Sequence, residues 1–219
     1  MAYRPPAHPV LDRAYANTAG AVAYLDETFD DGQHGRSRFY VFTAVVVERA
    51  EMPLLRQELR DIAGGTFWHT TDELRTEEGR KKASAMLNFL GEGAEICVIA
   101  HHSRIDDDDL EEARRACLRG LASTLSIGAA PLRGSIDLMV LEERNPRNRS
   151  NLDRKNISAM RAEGLVHRSM QAVLTSPRYE HLLWLPDLVS SAYRGTLTRA
   201  DNSLFSLIQQ RVHVIDPMH

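Results

Sequence analysis

Apolar residues along this chain follow two rhythms, and the switching between them predicts an alternation of strands and helices. The run AVAYLDET (21–28) is short, apolar and halted by acids, as a buried strand would be. DDGQHGRS (30–37) is rich in turn formers, and RFYVFTAVVVE (38–48) is a long β-branched and aromatic strand, so the pair predicts a hairpin with a loose loop. Pro53 then opens a helix through LLRQELRDIA that Gly64 and Gly65 end. A short segment, TFWHTTDEL (66–74), leads to a helix over 77–90 whose apolar face is Ala83, Met86, Leu87 and Leu90. EICVIAHH (95–102) is a strand, and the acidic run DDDDLEE (106–112) starts a helix reaching about residue 127. Acids there oppose the positive end of the helix dipole, which explains the run without any chemistry.

The second half continues in the same manner. SIDLMVLEER (135–144) is a strand that again ends in acids, and NPRNRSN is a turn or loose loop. Helical spacing runs through 152–174 with Gly164 as an interruption, HLLWL (181–185) has the look of a short strand, and Pro186 starts the helix DLVSSAYRG. The tail over 203–210 is helical and HVID is a last strand; residues 1–20, with Pro5, Pro6 and Pro9, form an extended lead-in. A leading hairpin excludes a plain doubly wound sheet, and the later strand–helix–strand units exclude an all-antiparallel one. The expected fold is therefore a mixed α/β sheet, a leading antiparallel hairpin and then parallel strands, with helices on both faces. With no linker or repeat in view, residues 21–219 are expected to form a single domain.

Composition narrows this picture. At 219 residues with 43% hydrophobic and 26% charged positions, the chain has the make-up of an ordinary globular protein. No apolar run approaches the roughly 20 residues that cross a bilayer, and MAYRPPAHPVLDR lacks a secretory signal, so no membrane association and a cytoplasmic location are expected. Cys97 and Cys117 suit reduced core thiols.

Candidate chemistry lies in the acids at strand ends. Asp26 and Glu27 follow AVAYL, Glu142 and Glu143 follow DLMVL, and Asp187 follows LLWLP. In open α/β sheets ligands gather beyond the carboxyl ends of parallel strands, where such acids would converge. Crowded carboxylates repel unless a cation neutralises them, and an all-oxygen set suits Mg²⁺ or Mn²⁺, the ions of phosphodiester cleavage. Each acid alone equally fits a wet strand end, and Asp187 fits a first-turn helix acid. Alternation along the strand puts Glu142 on the face of Leu138 and Val140 and Glu143 on the other, so only one of the two can face the site.

YLDET with its hairpin, WHTTDEL, a strand ending in acids and the late LPDLVSSAYRG together resemble the bacterial domain-of-unknown-function family 3800, over about residues 21–200. That family is regarded as ribonuclease H-like, akin to metal-dependent nucleases, resolvases and transposases. The resemblance implies a ribonuclease H-like fold and a divalent-metal-dependent nuclease. Asp26 would be the first-strand metal ligand with Glu27 beside it, Glu142 or Glu143 the middle ligand, and Asp187 the late-helix ligand. It also implies that His69 lines the site and assists proton transfer or orients a phosphate, whereas the residues alone equally suit a histidine packing beside Trp68. The chain departs from the family at Pro186, where Ala is commoner, and at Ser190, Ser191 and Tyr193, where a second acid would follow Asp187. This leaves open one ion or two, and keeps a catalytically inactive ribonuclease H-like binding or regulatory module, working with a partner protein, as the alternative.

Charge adds one further feature. The net charge is −3, yet residues 144–168 carry Arg144, Arg147, Arg149, Arg154, Lys155, Arg161 and Arg168 against only Asp153 and Glu163. A basic segment directly after Glu142 and Glu143 would let a weakly acidic protein hold a nucleic-acid backbone, with Arg144, Arg147, Arg149, Arg154 and Lys155 as contacts. A solvated helix face gives the same pattern. His101 and His102 end a strand and must point to opposite faces. The tail residues Leu204, Phe205, Leu207 and Ile208 suit either the core or a dimer partner. No GxSxG, P-loop or dinucleotide motif is present, which removes those chemistries from consideration.

Overall fold

The structure, a computed structural model, describes residues 7–33, 37–103, 105, 110–144 and 147–218, with the backbone alone for 147–149. Its centre is a six-stranded sheet in the order β5-β4-β1-β2-β3-β6. The hairpin of β1 (Val22–Asp30) and β2 (Phe39–Val47) is antiparallel, and β3 (Ile96–His102) pairs antiparallel with β2. β4 (Leu138–Glu142) runs parallel to β1, β5 (Gln171–Thr175) parallel to β4, and β6 (Val212–Ile215) parallel to β3. Only β2 runs against the rest, so the carboxyl ends of β1 and β4 lie side by side. This is the mixed sheet implied by the ribonuclease H resemblance.

Both faces of the sheet are covered, and strand alternation sorts the core into two halves. Val22, Tyr24, Val41, Val45, Leu138 and Val140 pack toward α2 (Met52–Ala63), α4 (Glu77–Glu92) and α7 (Trp184–Arg199). Ala23, Leu25, Phe42, Ala44, Met139 and Leu141 pack toward α5 (Leu110–Ile127) and α6 (Arg147–Ala162). β2 is buried from end to end, which is why its sequence is a continuous apolar run rather than an alternating one.

Several expectations from the sequence are corrected. The lead-in is not extended throughout: Pro9–Ala16 is α1, with Pro9 in its first turn, where a missing N–H costs nothing, and His8 Nδ1 accepting from Leu11 N at 3.1 Å. The single helix expected over 152–174 is in fact α6, which ends at Ala162, followed by β5. Gly164 takes φ +72°, the left-handed conformation that turns the chain back to the sheet edge. HLLWL is not a strand: His181–Leu183 is a 3₁₀ turn and Trp184 already opens α7, with Pro186 within its first turn. A fully buried apolar run does not distinguish strand from helix by its periodicity. Residues 106–109, expected to start a helix, lie outside the described residues; α5 is described from Leu110. The tail over 203–210 is two 3₁₀ turns rather than a helix, and it covers the core, with Ile208 buried and Leu204, Phe205 and Leu207 against the α4 and α7 side. Gly91 makes that docking possible, since a Cβ there would stand 2.2 Å from the Leu207 carbonyl oxygen. Among the described residues no helix is long and apolar enough to cross a membrane.

A buried ion pair ties the approach to α7 down. Glu180 accepts from Arg56 Nε at 2.9 Å, from Arg56 Nη2 at 2.6 Å, from the Tyr15 hydroxyl at 2.5 Å and from Leu182 N at 3.0 Å. It thereby joins α1, α2 and the turn that leads into α7. Removing one partner strands the other charge, so Arg56→Met should lower stability by about 3 kcal/mol in urea denaturation. An unchanged midpoint would show that Glu180 is not held in this way.

Candidate active site

Asp26 sits four residues into β1, on the same face as Val22 and Tyr24; in the β1–β4 register Tyr24 lies opposite Val140 and Leu25 opposite Leu141. One step further on, Glu142 ends β4 on the face of Leu138 and Val140, beside Asp26. Asp187 comes to the same place from above, in the first turn of α7, which packs across β1 and β2. The structure therefore brings Asp26, Glu142 and Asp187 together.

Their electrostatics follow from that crowding. Burial pushes the Asp26 carboxyl well above its ordinary range, and the charges of Asp187, Glu142 and Glu27 add to the effect. Burial, then Asp187 and Glu27, push Glu142 up to about 7, against an opposing pull from His69. Asp187 is also raised by burial, although hydrogen bonds from the Thr70 hydroxyl and backbone N–H and the nearness of His69 favour its charged form. Among the described residues no Arg or Lys pairs with these three carboxyls. Nor do any three His, Cys, Asp or Glu side chains among those residues close into a ready-made metal-holding group. Like charges hold such groups apart.

Around the acids stands a polar frame. Thr70, fully buried, accepts from Trp68 Nε1 at 2.7 Å, which aims its hydroxyl hydrogen toward Asp187. His69 precedes the short helix α3 (Thr70–Glu73); its ring Nδ1 lies 2.8 Å from Asp72 Oδ2, and its side chain is more than half exposed. Below Asp187, Ser190 donates to Thr43 Oγ1 at 2.8 Å, and Thr43 is the β2 residue opposite Asp26. The sequence pattern does not mark Thr70, Thr43 or Ser190 as site residues. The hairpin register is the signal that would find Thr43.

The other acids and bases lie elsewhere. Glu27 points to the opposite face, where Arg114 Nη2 is 2.7 Å from its Oε2. Glu143, past the end of β4, turns toward Arg154, 4.0 Å away. Arg144 is engaged inside the protein, bidentate on Glu111 at 2.8 and 2.9 Å and bonded to Asp153 at 3.2 Å. Arg154 and Lys155 are exposed on α6; the side chains of Arg147 and Arg149 lie outside those described. His101 faces α7, where its Nδ1 is 3.1 Å from the Tyr193 hydroxyl, and His102 takes the other face.

No family model and no curated protein matches this chain. Among solved structures it is similar to a glutamine-to-alanine mutant of Bst-RNase HIII, at 10% identity and a TM-score of 0.47, over 90% of this chain and 56% of that one. The chain thus spans little more than half the length of that protein.

A raised folded-state carboxyl gives a definite pH dependence. Whatever stability a protonated Glu142 lends is complete below about pH 4.5 and lost as pH rises through about 7. In metal-free protein, Glu142→Gln should therefore raise stability by about 2 kcal/mol at pH 8 and change it little at pH 4, read by thermal melting at both values. An equal effect at both pH values would show that Glu142 does not carry repelled charge.

Proposed function

We propose that this protein is a divalent-metal-dependent nuclease, or a related phosphoryl-transfer enzyme, that acts on nucleic acid. The observation that carries this reading is the meeting of Asp26, Glu142 and Asp187, three carboxyls from distant parts of the chain, at one sheet face with no Arg or Lys among the described residues paired to any of them. Such a site costs stability, and a bound ion would offset that cost. The donor set is all oxygen and fits Mg²⁺ or Mn²⁺, with these three residues as ligands. Glu27 and Glu143, facing Arg114 and Arg154, stay outside the set in this reading. When bound, the ion would supply an activated hydroxide and stabilise the developing charge on the phosphate.

The chain's own groups have distinct tasks here. Thr70 favours the ionised form of Asp187, against the effect of burial, and fixes its direction. His69, with Nδ1 turned to Asp72, leaves its other ring nitrogen free to hold or deliver a proton at the mouth of the site. Arg154 and Lys155 can meet the substrate backbone along α6. The resemblance to the bacterial family 3800 is in keeping with the same assignment. A second reading, an inactive binding or regulatory module that works with a partner protein, draws on one observation. Ser190 stands where a second acid would follow Asp187, and its hydroxyl is tied to Thr43.

Purified protein with Mn²⁺ should cut single- or double-stranded DNA or RNA. Asp26→Asn should lower cutting at least a hundredfold while circular dichroism stays unchanged, and should abolish Mn²⁺ binding by isothermal titration. Full activity in that variant would reject the ligand assignment. An inactive wild type that binds no Mn²⁺ would favour the second reading.

A further inference from the structure

β1 and α7 run on together past the three acids. Two residues beyond Asp26 on the same strand face, about 7 Å along, is Thr28; two turns beyond Asp187 on α7, roughly 10 Å along, is Arg194. Arg194 Nη1 donates to Thr28 Oγ1 at 3.3 Å and Nη2 to Asp30 Oδ2 at 3.3 Å, and the side chain remains 38% exposed. It borders an open cleft of about 390 Å³ that is lined also by Glu27, Thr28, Asp30 and Asp31. From this geometry we infer that Arg194 is a second phosphate-binding residue, one that grips a backbone phosphate next to the reacting one; the inference rests on the nuclease reading.

The partners of Arg194 leave it this capacity. Thr28 and Asp30 each take one hydrogen bond at long range, which orients the guanidinium and leaves its remaining donors turned to solvent, enough for a bidentate contact to phosphate. Asp30 is itself buried and also accepts from Gly32 N at 3.0 Å, so it serves as a fixed anchor. The other acids of the cleft compete weakly for a cation: Glu27 is paired with Arg114, and Asp31 accepts from the Gln33 backbone N–H and side-chain amide. The spacing suits a nucleic acid, whose charges follow one another at a few ångströms along each strand. Arg144, the nearest basic residue to Glu142 in sequence, is spent on Glu111 and Asp153, so it does not fill this role.

The test uses fluorescence anisotropy of a short labelled single strand, DNA and RNA in turn, in EDTA over a series of KCl concentrations. Arg194→Gln is expected to weaken binding about tenfold and to reduce the slope of log affinity on log salt by about 0.7, the loss of one phosphate contact. Arg194→Lys, which keeps the charge, should keep the slope. Should the glutamine variant melt early, Arg194→Met retains the aliphatic stem and reads the same slope. An unchanged slope in the uncharged variants overturns the proposal, even if the wild type cuts nucleic acid with metal. A lost slope in a protein that proves not to cut would sustain the phosphate subsite and reject the nuclease reading.

Discussion

Placing the carboxyls of Asp26, Glu142 and Asp187 side by side on a half-buried sheet face is unfavourable in every respect that the chain itself controls. Burial strips water from each, and each charge raises the cost of the next. The core packs without these acids, since the neighbouring side chains of β1 and β4 on the same face, Val22, Tyr24, Leu138 and Val140, belong to the apolar cluster that α7 covers. Stability surrendered at one place, while the rest of the fold stays consistent, is what the proposed metal site would explain.

The remainder of the molecule is arranged so that this cost can be borne. On the far face, buried Arg114 lies between Glu27 and Asp153, and over the Phe42 ring at 4.9 Å, so the acid next to Asp26 has a cation of its own. Arg144 extends that network to Glu111 and joins β4, α5 and α6. On the near face, Glu180 with Arg56 and Tyr15 fixes the turn that delivers Asp187, and Thr70 receives it. Charges that brace the fold are thus paired, whereas the three at the site have no Arg or Lys partner among the described residues.

Much of the site was legible in the sequence because strand geometry is strict. Period-two alternation allows only one of Glu142 and Glu143 onto the shared face, and the structure puts Glu143 with Arg154 away from it; Glu27, expected beside Asp26 as a ligand, is with Arg114 on the other face. The hairpin, β3 and β4 were equally plain from their β-branched runs. Other parts were hidden for physical reasons. Trp184 and Leu185 are buried on all sides, so their run carries no period that tells helix from strand, and β5 is a short edge strand whose residues continue the spacing of the preceding helix. Pro9 suggested extension because proline is equally at home in a helix's first turn. The basic segment after Glu143 read as one surface, yet Arg144 is committed to Glu111, which lies 33 residues away in the chain. Arg194 stands outside that segment, and only the packing of α7 along β1 brings it to Thr28 and Asp30.

The crowding itself is open to direct observation. Carbon-13 NMR titration of the side-chain carboxyls in metal-free protein should find Glu142 changing state near pH 7 and Asp26 well above the ordinary aspartate range, with both moving sharply down when Mg²⁺ is added. Carboxyls that titrate at ordinary values and ignore Mg²⁺ would contradict the account, because the three groups would then neither repel one another nor share an ion.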